Sequence, residues 1–311
     1  MKKKVLISAP YFIPVADKFK GVFDEHNIDM VIADVNERLS EEELLPIIGE
    51  MDGVICGDDR FTEKVLAAAK KLKVISKWGT GTDSIDKDAC ARLNILVKNT
   101  PNAFTEPVSD SVMCYILCFA RKIPWMDKAM KANIWEKIPG VSLHEATLGI
   151  IGMGNIGKAV ARKAAAFGMR ILGNDIKDID KDFVASVGVE VVDKECLYRE
   201  ADFISLNCDL NQSSFHLIDK NALAQMAKKP FIINTARGHI IKERDLVDAL
   251  DQGIVAGAGL DVFEQEPLPS DSRLLMMDNV LLAPHNSNSS PSAWERVHEN
   301  TVKNLLEGLE E

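Results

Sequence analysis

Residues 147–175, TLGIIGMGNIGKAVARKAAAFGMRILGND, leave little choice of fold. A short apolar run, 148–151, leads into Gly152, Gly154 and Gly157 at G-x-G-x-x-G spacing. A helical segment, 156–167, follows with Gly168 as its C-cap, and a second apolar run, 169–172, leads to Asp175. Strand, glycine turn, helix, strand and acid in that order predict a dinucleotide-binding βαβ unit. Gly152 permits the tight turn, Gly154 lets a pyrophosphate approach the backbone, and Gly157 lets the helix pack on the strand. The unpaired N–H groups and dipole at the helix start attract the phosphates. Asp175 stands where a carboxylate accepts hydrogen bonds from the adenosine ribose, and its charge repels a 2′-phosphate, so NAD is expected rather than NADP. Lys177 is the one nearby cation that could favour the phosphorylated form. A glycine-rich turn in some other α/β protein would leave Asp175 unexplained.

The remaining pattern repeats the alternation. Strand signals at 5–8, 29–32, 53–56, 74–76 and 95–97 are separated by helical stretches at 40–48, 62–70 and 84–92, with Ser40 and Thr62 placed as N-caps. After Asp175, further strand signals fall at 190–192, 203–206, 231–234, 255–260 and 280–282. Two such series predict an α/β chain of two doubly wound parallel-sheet domains, as 311 residues suggest. Between them Pro101 and Pro107 break the pattern, and 109–121 reads as an apolar helix buried at a domain junction or subunit contact. Trp125 and Trp135 follow as interface anchors or ordinary core.

A net charge of −10 argues against nucleic acid and anionic membranes as principal partners, though not against a small anionic substrate. The N-terminus reads as a strand rather than a signal peptide, because Pro10 and Pro14 interrupt its apolar part. Six cysteines without C-x-x-C spacing predict a reduced, cytoplasmic protein and no metal site, with Cys114 and Cys118 as core residues.

Ligands of such sheets bind beyond the carboxyl ends of the strands. There the sequence places Lys77-Trp78-Gly79-Thr80-Gly81, Thr235-Ala236-Arg237-Gly238, Asp261 through Glu266, and Ala283-Pro284-His285. The glycines of the first segment read either as an anion-receiving loop or as a simple turn. Arginine, glutamate and histidine suit hydride transfer to a ketone. The arginine grips a carboxylate, the histidine donates the proton, and a carboxylate steadies the imidazolium. Each alone has a plainer reading, as a surface cation, a solvated acid or a structural histidine.

The motifs KWGTGTDSID, GMGNIG, TARGHII, AGLDVFEQEPL and LLAPH, in that order, resemble the D-isomer-specific 2-hydroxyacid dehydrogenases, nearest the 3-phosphoglycerate dehydrogenase branch. The resemblance implies a Rossmann-type NAD domain at 102–284 and a flavodoxin-like substrate domain built from 1–101 and a return at 285–311, whose helix would cover 292–307. It implies Arg237, Glu266 and His285 as catalytic. Gly79, Thr80 and Gly81, with Lys77 beside them, would bind substrate. Asn155, Ile156, Asn207, Asp209, Thr235 and Asp261 would join the glycines and Asp175 around the cofactor, with Asp261 on the nicotinamide carboxamide. It also implies a homodimer. A 3-phosphoglycerate dehydrogenase-like activity is expected, with Lys77 and Arg60 meeting a phosphate. Glyoxylate or hydroxypyruvate reduction, or a non-catalytic NAD sensor, are the alternatives. The end of the chain at Glu311 predicts no serine-regulated C-terminal domain. Asn207-Cys208-Asp209 and Asn286 to Ser290 depart from the family pattern at the site's rim.

Overall fold

The computed structural model describes residues 2–311, which divide into two compact units, 2–104 with 290–311 and 105–289. In the first unit the strands β1 (Lys3–Ile7), β2 (Ile28–Ile32), β3 (Gly53–Cys56), β4 (Val74–Lys77) and β5 (Leu96–Lys98) form one sheet in the order β2-β1-β3-β4-β5. Every pair is parallel. The strands are short apolar runs because helices cover both faces and bury them on both sides. The connecting helices Glu41–Ile48 and Glu63–Ala68 start at Ser40 and Thr62, whose hydroxyls accept from the backbone of Glu43 and Val65. Ser40 and Glu43 complete a capping box.

The last helix, Pro291–Glu310, belongs to this unit and lies across β3, β4 and β5. Its buried stripe, Val297, Thr301, Val302, Leu305 and Leu309, repeats at helical spacing. Small residues permit the close approach: a Cβ on Gly308 would lie 2.5 Å from the Val74 side chain, and one on Gly53 would lie 2.8 Å from Leu305. The Ser76 hydroxyl donates to the Thr301 carbonyl across the contact, at 2.8 Å.

The second unit carries the strands β6 (Thr147–Ile151), β7 (Arg170–Asn174), β8 (Val189–Val191), β9 (Phe203–Leu206), β10 (Phe231–Asn234), β11 (Gly257–Leu260) and β12 (Val280–Leu282) in the parallel order β12-β11-β10-β9-β6-β7-β8. Strand order reverses between β6 and β9, which is the switch point where a crevice opens. Cores lie on both faces, one containing Val112, Ile116, Ile150 and Val160, the other Leu206, Ile232, Leu246 and Leu250.

The structure corrects three local expectations. The helix expected at 109–121 spans Thr105–Arg121 and takes Pro107 into its first turn, where a missing N–H costs nothing. Its apolar face packs on the helix Asn155–Ala166 and on β10 within this unit, which accounts for its apolarity without a partner. Phe119, 1% exposed, stacks on Phe231 with ring centroids 4.6 Å apart. β11 begins at Gly257 rather than 255. Cys114 is exposed and Cys118 only half-buried, so neither is a core residue. Among the described residues no helix is long and apolar enough to cross a membrane.

One contact in the first unit makes its stability pH-dependent. The Trp78 indole N–H donates to His298 Nδ1 at 3.0 Å, which requires a neutral acceptor. Burial, with Lys18 adding to it and Glu295 opposing, holds the His298 imidazole below its ordinary pKa. The unfolded chain therefore takes up a proton that the folded chain excludes, so this contribution is complete above about pH 6.5 and declines as the pH falls below it. Urea titrations should show wild-type stability falling on acidification from neutrality. His298→Gln, which keeps an acceptor for Trp78 but does not titrate, should show a smaller fall.

Candidate active site

The carboxyl edge of the seven-stranded sheet is shaped by positions where no side chain fits. Gly152 ends β6 at φ +94°, and a Cβ there would lie 2.5 Å from the backbone nitrogen of Cys208 and 2.6 Å from the carbonyl carbon of Asn207, beyond β9. A Cβ on Gly157 would meet the Gly152 carbonyl oxygen at 2.0 Å. Gly154 has nothing within 4 Å of its Cβ position, so its outer face is open to an approaching group. It caps the helix Asn155–Ala166, whose first residues, Asn155 and Ile156, lie at the mouth.

Asp175 fixes this loop. Its Oδ2 accepts from the Met153 N–H at 2.6 Å and its Oδ1 from the Lys177 N–H at 2.9 Å. Each oxygen retains acceptor capacity for a ribose hydroxyl. Two buried oxygens at neighbouring strand ends, Asn207 Oδ1 and Thr235 Oγ1, have no hydrogen-bond partner among the described residues. The Asn207 amide nitrogen is held by Ser205. Asp209 is exposed, and its carbonyl accepts from Asn211 and Ser214. An open glycine mouth, a ribose-type acid and two unsatisfied acceptors fit a dinucleotide.

Arg237 follows β10 on a turn bound at several points. Asn234 accepts from the Ala236 N–H and donates to the Arg237 carbonyl, and the guanidinium donates back to the Ala236 carbonyl at 2.9 Å. Gly238 presses on the segment after β11: a Cβ there would lie 1.9 Å from the Phe263 carbonyl. That segment carries Glu266, whose Oε1 accepts from the Phe263 N–H at 3.0 Å. Its Oε2 stands 3.1 Å from His285 Nδ1. Because the carboxylate accepts, Nδ1 carries a proton and Nε2 is the ring nitrogen left for chemistry. Burial holds the neighbouring Glu243 carboxyl above its usual range.

Asp261 is 1% exposed, and its carboxylate is committed to the backbone. Oδ1 accepts from Asn286 N–H at 2.7 Å and Oδ2 from Ser287 N–H at 2.9 Å, while its carbonyl accepts from His285 N–H at 2.8 Å. These bonds hold the His285 loop. Sequence reading missed that role and the contact of Gly238 with Phe263, because each joins segments distant in the chain.

In the first unit Gly79 adopts φ +125°, and its carbonyl accepts from both the backbone and the hydroxyl of Thr100. The Thr80 carbonyl accepts from Asn99 at 2.6 Å, and Gly81 follows. The Lys77 side chain is 5% exposed, with its ammonium 3.0 Å from Asp58 Oδ1 and donating to the Trp78 carbonyl. Arg60 is exposed. Among the described residues no cluster of His, Cys, Asp and Glu could hold a metal ion.

Residues 113–287 match the family model described as D-isomer specific 2-hydroxyacid dehydrogenase, NAD binding domain. A hydroxypyruvate reductase of Thermotoga maritima is 39% identical over 280 residues, covering 88% of this chain and 90% of that protein. A glyoxylate reductase of Korarchaeum cryptofilum is 38% identical over 254 residues, 80% of this chain and 76% of that protein. A D-3-phosphoglycerate dehydrogenase of Methanocaldococcus jannaschii is 39% identical over 87% of this chain, but the chain spans only 52% of its length. Among solved structures, a D-lactate dehydrogenase of Aquifex aeolicus complexed with NAD and lactic acid superposes with a TM-score of 0.86 at 26% identity, over 97% of this chain and 93% of that one.

A side chain at position 152 should push the glycine loop away from the segment after β9 and distort the mouth. Gly152→Ala combines a clash with a backbone angle unfavourable to alanine. A strain of only about 1.4 kcal/mol expressed on binding weakens affinity tenfold. Fluorescence titration should show NADH binding weakened by about tenfold or more, with the circular dichroism spectrum unchanged.

Proposed function

We propose an activity from one premise: the chain belongs to the D-isomer specific 2-hydroxyacid dehydrogenase family. It is an NAD-dependent oxidoreductase acting on a CH–OH group. Our reading is that it reduces a small, unphosphorylated 2-oxo acid of the glyoxylate or hydroxypyruvate kind to the D-2-hydroxy acid. The observation that carries the choice is the Lys77–Asp58 pair. A lysine already held by an adjacent acid and itself shut from solvent is a poor phosphate ligand, since a phosphate would have to displace Asp58 to reach it. Of the two cations that the phosphoglycerate reading assigned to the phosphate, only exposed Arg60 then remains uncommitted to Asp58. A hydroxypyruvate reductase and two glyoxylate reductases, each covered by this chain over more than four fifths of its length, support the same reading.

In this reading Arg237 binds the substrate carboxylate and points the carbonyl oxygen at His285 Nε2. Bound NADH supplies the hydride. His285 gives its Nε2 proton to the oxygen as the alkoxide develops, and Glu266 opposite Nδ1 stabilises the charged ring beforehand and fixes its orientation. A role for the Gly79, Thr80 and Gly81 amides on the carboxylate rests on the family resemblance.

We place the enzyme in the cytoplasm as a homodimer. Six free cysteines suit a reducing compartment. Ile123, Met130, Ile134 and Trp135, the last 85% exposed, lie on and just after the helix Ile123–Lys131 and offer apolar surface to a second copy. Trp135→Glu should turn a dimer into a monomer in sedimentation; a wild-type protein that sediments as a monomer excludes this assembly.

NADH oxidation followed by absorbance against glyoxylate, hydroxypyruvate and phosphohydroxypyruvate tests the activity. Turnover of the first two, with little of the third, is the expected result; preference for the phosphorylated acid would restore the phosphoglycerate reading. His285→Gln should lower kcat by about two to four orders of magnitude while NADH still binds. Arg237→Leu should chiefly raise KM. Wild-type kinetics in both variants would remove these residues from the mechanism.

A further inference from the structure

We propose that His216 is a positioning residue for the reaction, tying the turn that carries Arg237 to the loop that carries Glu266. The proposal rests on the roles given above to Arg237, Glu266 and His285. His216 lies in the segment between β9 and the isolated bridge Ile218↔Ile241. Its N–H donates to the carbonyl of His239 at 2.8 Å, and the bridge continues the contact, with the Ile218 N–H on the Ile240 carbonyl at 3.0 Å. His239 and Ile240 are in the 3-10 turn Gly238–Ile240, and Arg237 is the residue that opens it. The backbone of His216 is thus fastened directly to the Arg237 turn.

Its ring reaches the other catalytic segment. His216 Nε2 is 2.7 Å from Glu264 Oε1, and Glu264 stands two positions before Glu266. Glu264 is held at its backbone as well, where its N–H donates to Glu243 Oε2 at 3.3 Å. The next restraint along the loop is the Phe263 N–H on Glu266 itself, and from Glu266 the line passes to His285. His216 therefore joins two segments, its backbone fastened to the turn after Arg237 and its ring to the loop that carries Glu266. Phe215 stacks on His216 at 4.0 Å and on His239 at 5.8 Å, restricting the ring to this orientation. His216 holds φ at +51°, a conformation uncommon outside glycine and favoured only where surrounding bonds impose it. The titratable groups around the ring are Glu264, His239 and, through the Glu264 backbone, Glu243.

An ordinary surface ion pair contributes little and tolerates replacement. A pair that sets the spacing of two catalytic segments differs, because small displacements of reacting groups cost rate out of proportion to stability. His216→Leu removes the ring donor, whereas His216→Gln keeps an N–H able to reach Glu264.

Steady-state kinetics with NADH and the best 2-oxo acid of the panel, as a function of pH, test the proposal. His216→Leu should lower kcat by about tenfold or more and raise KM. It should also move the alkaline limb of the kcat profile to lower pH, because a less firmly set Glu266 stabilises protonated His285 less. NADH affinity should stay at its wild-type value, and His216→Gln should recover most of kcat. Wild-type kcat, KM and pH profile in His216→Leu would overturn the proposal. So would equal losses in the Leu and Gln variants accompanied by loss of NADH binding, which would mark a merely structural residue. His285→Gln, assayed in parallel, separates the two readings. An inactive His285→Gln beside a kinetically normal His216→Leu defeats this proposal alone; an active His285→Gln defeats the catalytic assignment on which it rests.

Discussion

The buried carboxylate of Asp261 sets the geometry of the site. Its two oxygens and its carbonyl take the N–H groups of three successive residues, His285, Asn286 and Ser287. Bonds from backbone donors to an ionised acceptor are stronger than neutral ones, and a charge removed from water must be met by such donors. The His285 backbone is held at φ +51° as a result, and its ring faces Glu266. A hydroxyl or amide at 261 could not satisfy both donors in the same way, so the placement of His285 depends on this acid.

Around that clamp, close backbone contacts position the other groups. Gly238 lets the Arg237 turn lie against Phe263, and Gly152 lets the nucleotide loop lie against the segment after β9. Both are places where a methyl group would overlap main-chain atoms that cannot move aside. Parallel strands end at the same edge, so residues from β6, β9, β10, β11 and β12 meet there although they are far apart in sequence. The chemistry we propose would draw on that convergence: an arginine for a carboxylate, and a histidine with its acid for a proton.

Electrostatics supports the substrate we propose. The chain is acidic overall, and the one lysine next to the Gly79 turn already holds Asp58. A substrate with one carboxylate and no phosphate asks for nothing further from the first unit's cations. The argument from Lys77 depends on its neighbour, and the neighbour is not visible from the lysine's own segment.

Much of the architecture was legible from local pattern. Apolar runs bounded by glycines and caps mark strands and helices because burial on both faces demands continuous apolar sequence, and Ser40 and Thr62 cap helices by chemistry confined to four residues. The glycine fingerprint and Asp175 are likewise legible, since their spacing encodes a βαβ unit by itself. Pro107 misled the reading of its helix because a proline's effect depends on whether its nitrogen falls in the first turn. Cys114 and Cys118 share a helix face, but which face is buried is decided by what packs against it. The bonding of Asp261, the pairing of Lys77 with Asp58 and the bridge made by His216 came only from the tertiary structure. Each joins residues brought together by the fold, and a hydrogen bond across such a gap leaves no periodicity or spacing in the chain. The sequence by itself determined the elements and the nucleotide loop; the tertiary structure decided how the side chains at the strand ends are held, because only packing selects each side chain's partner.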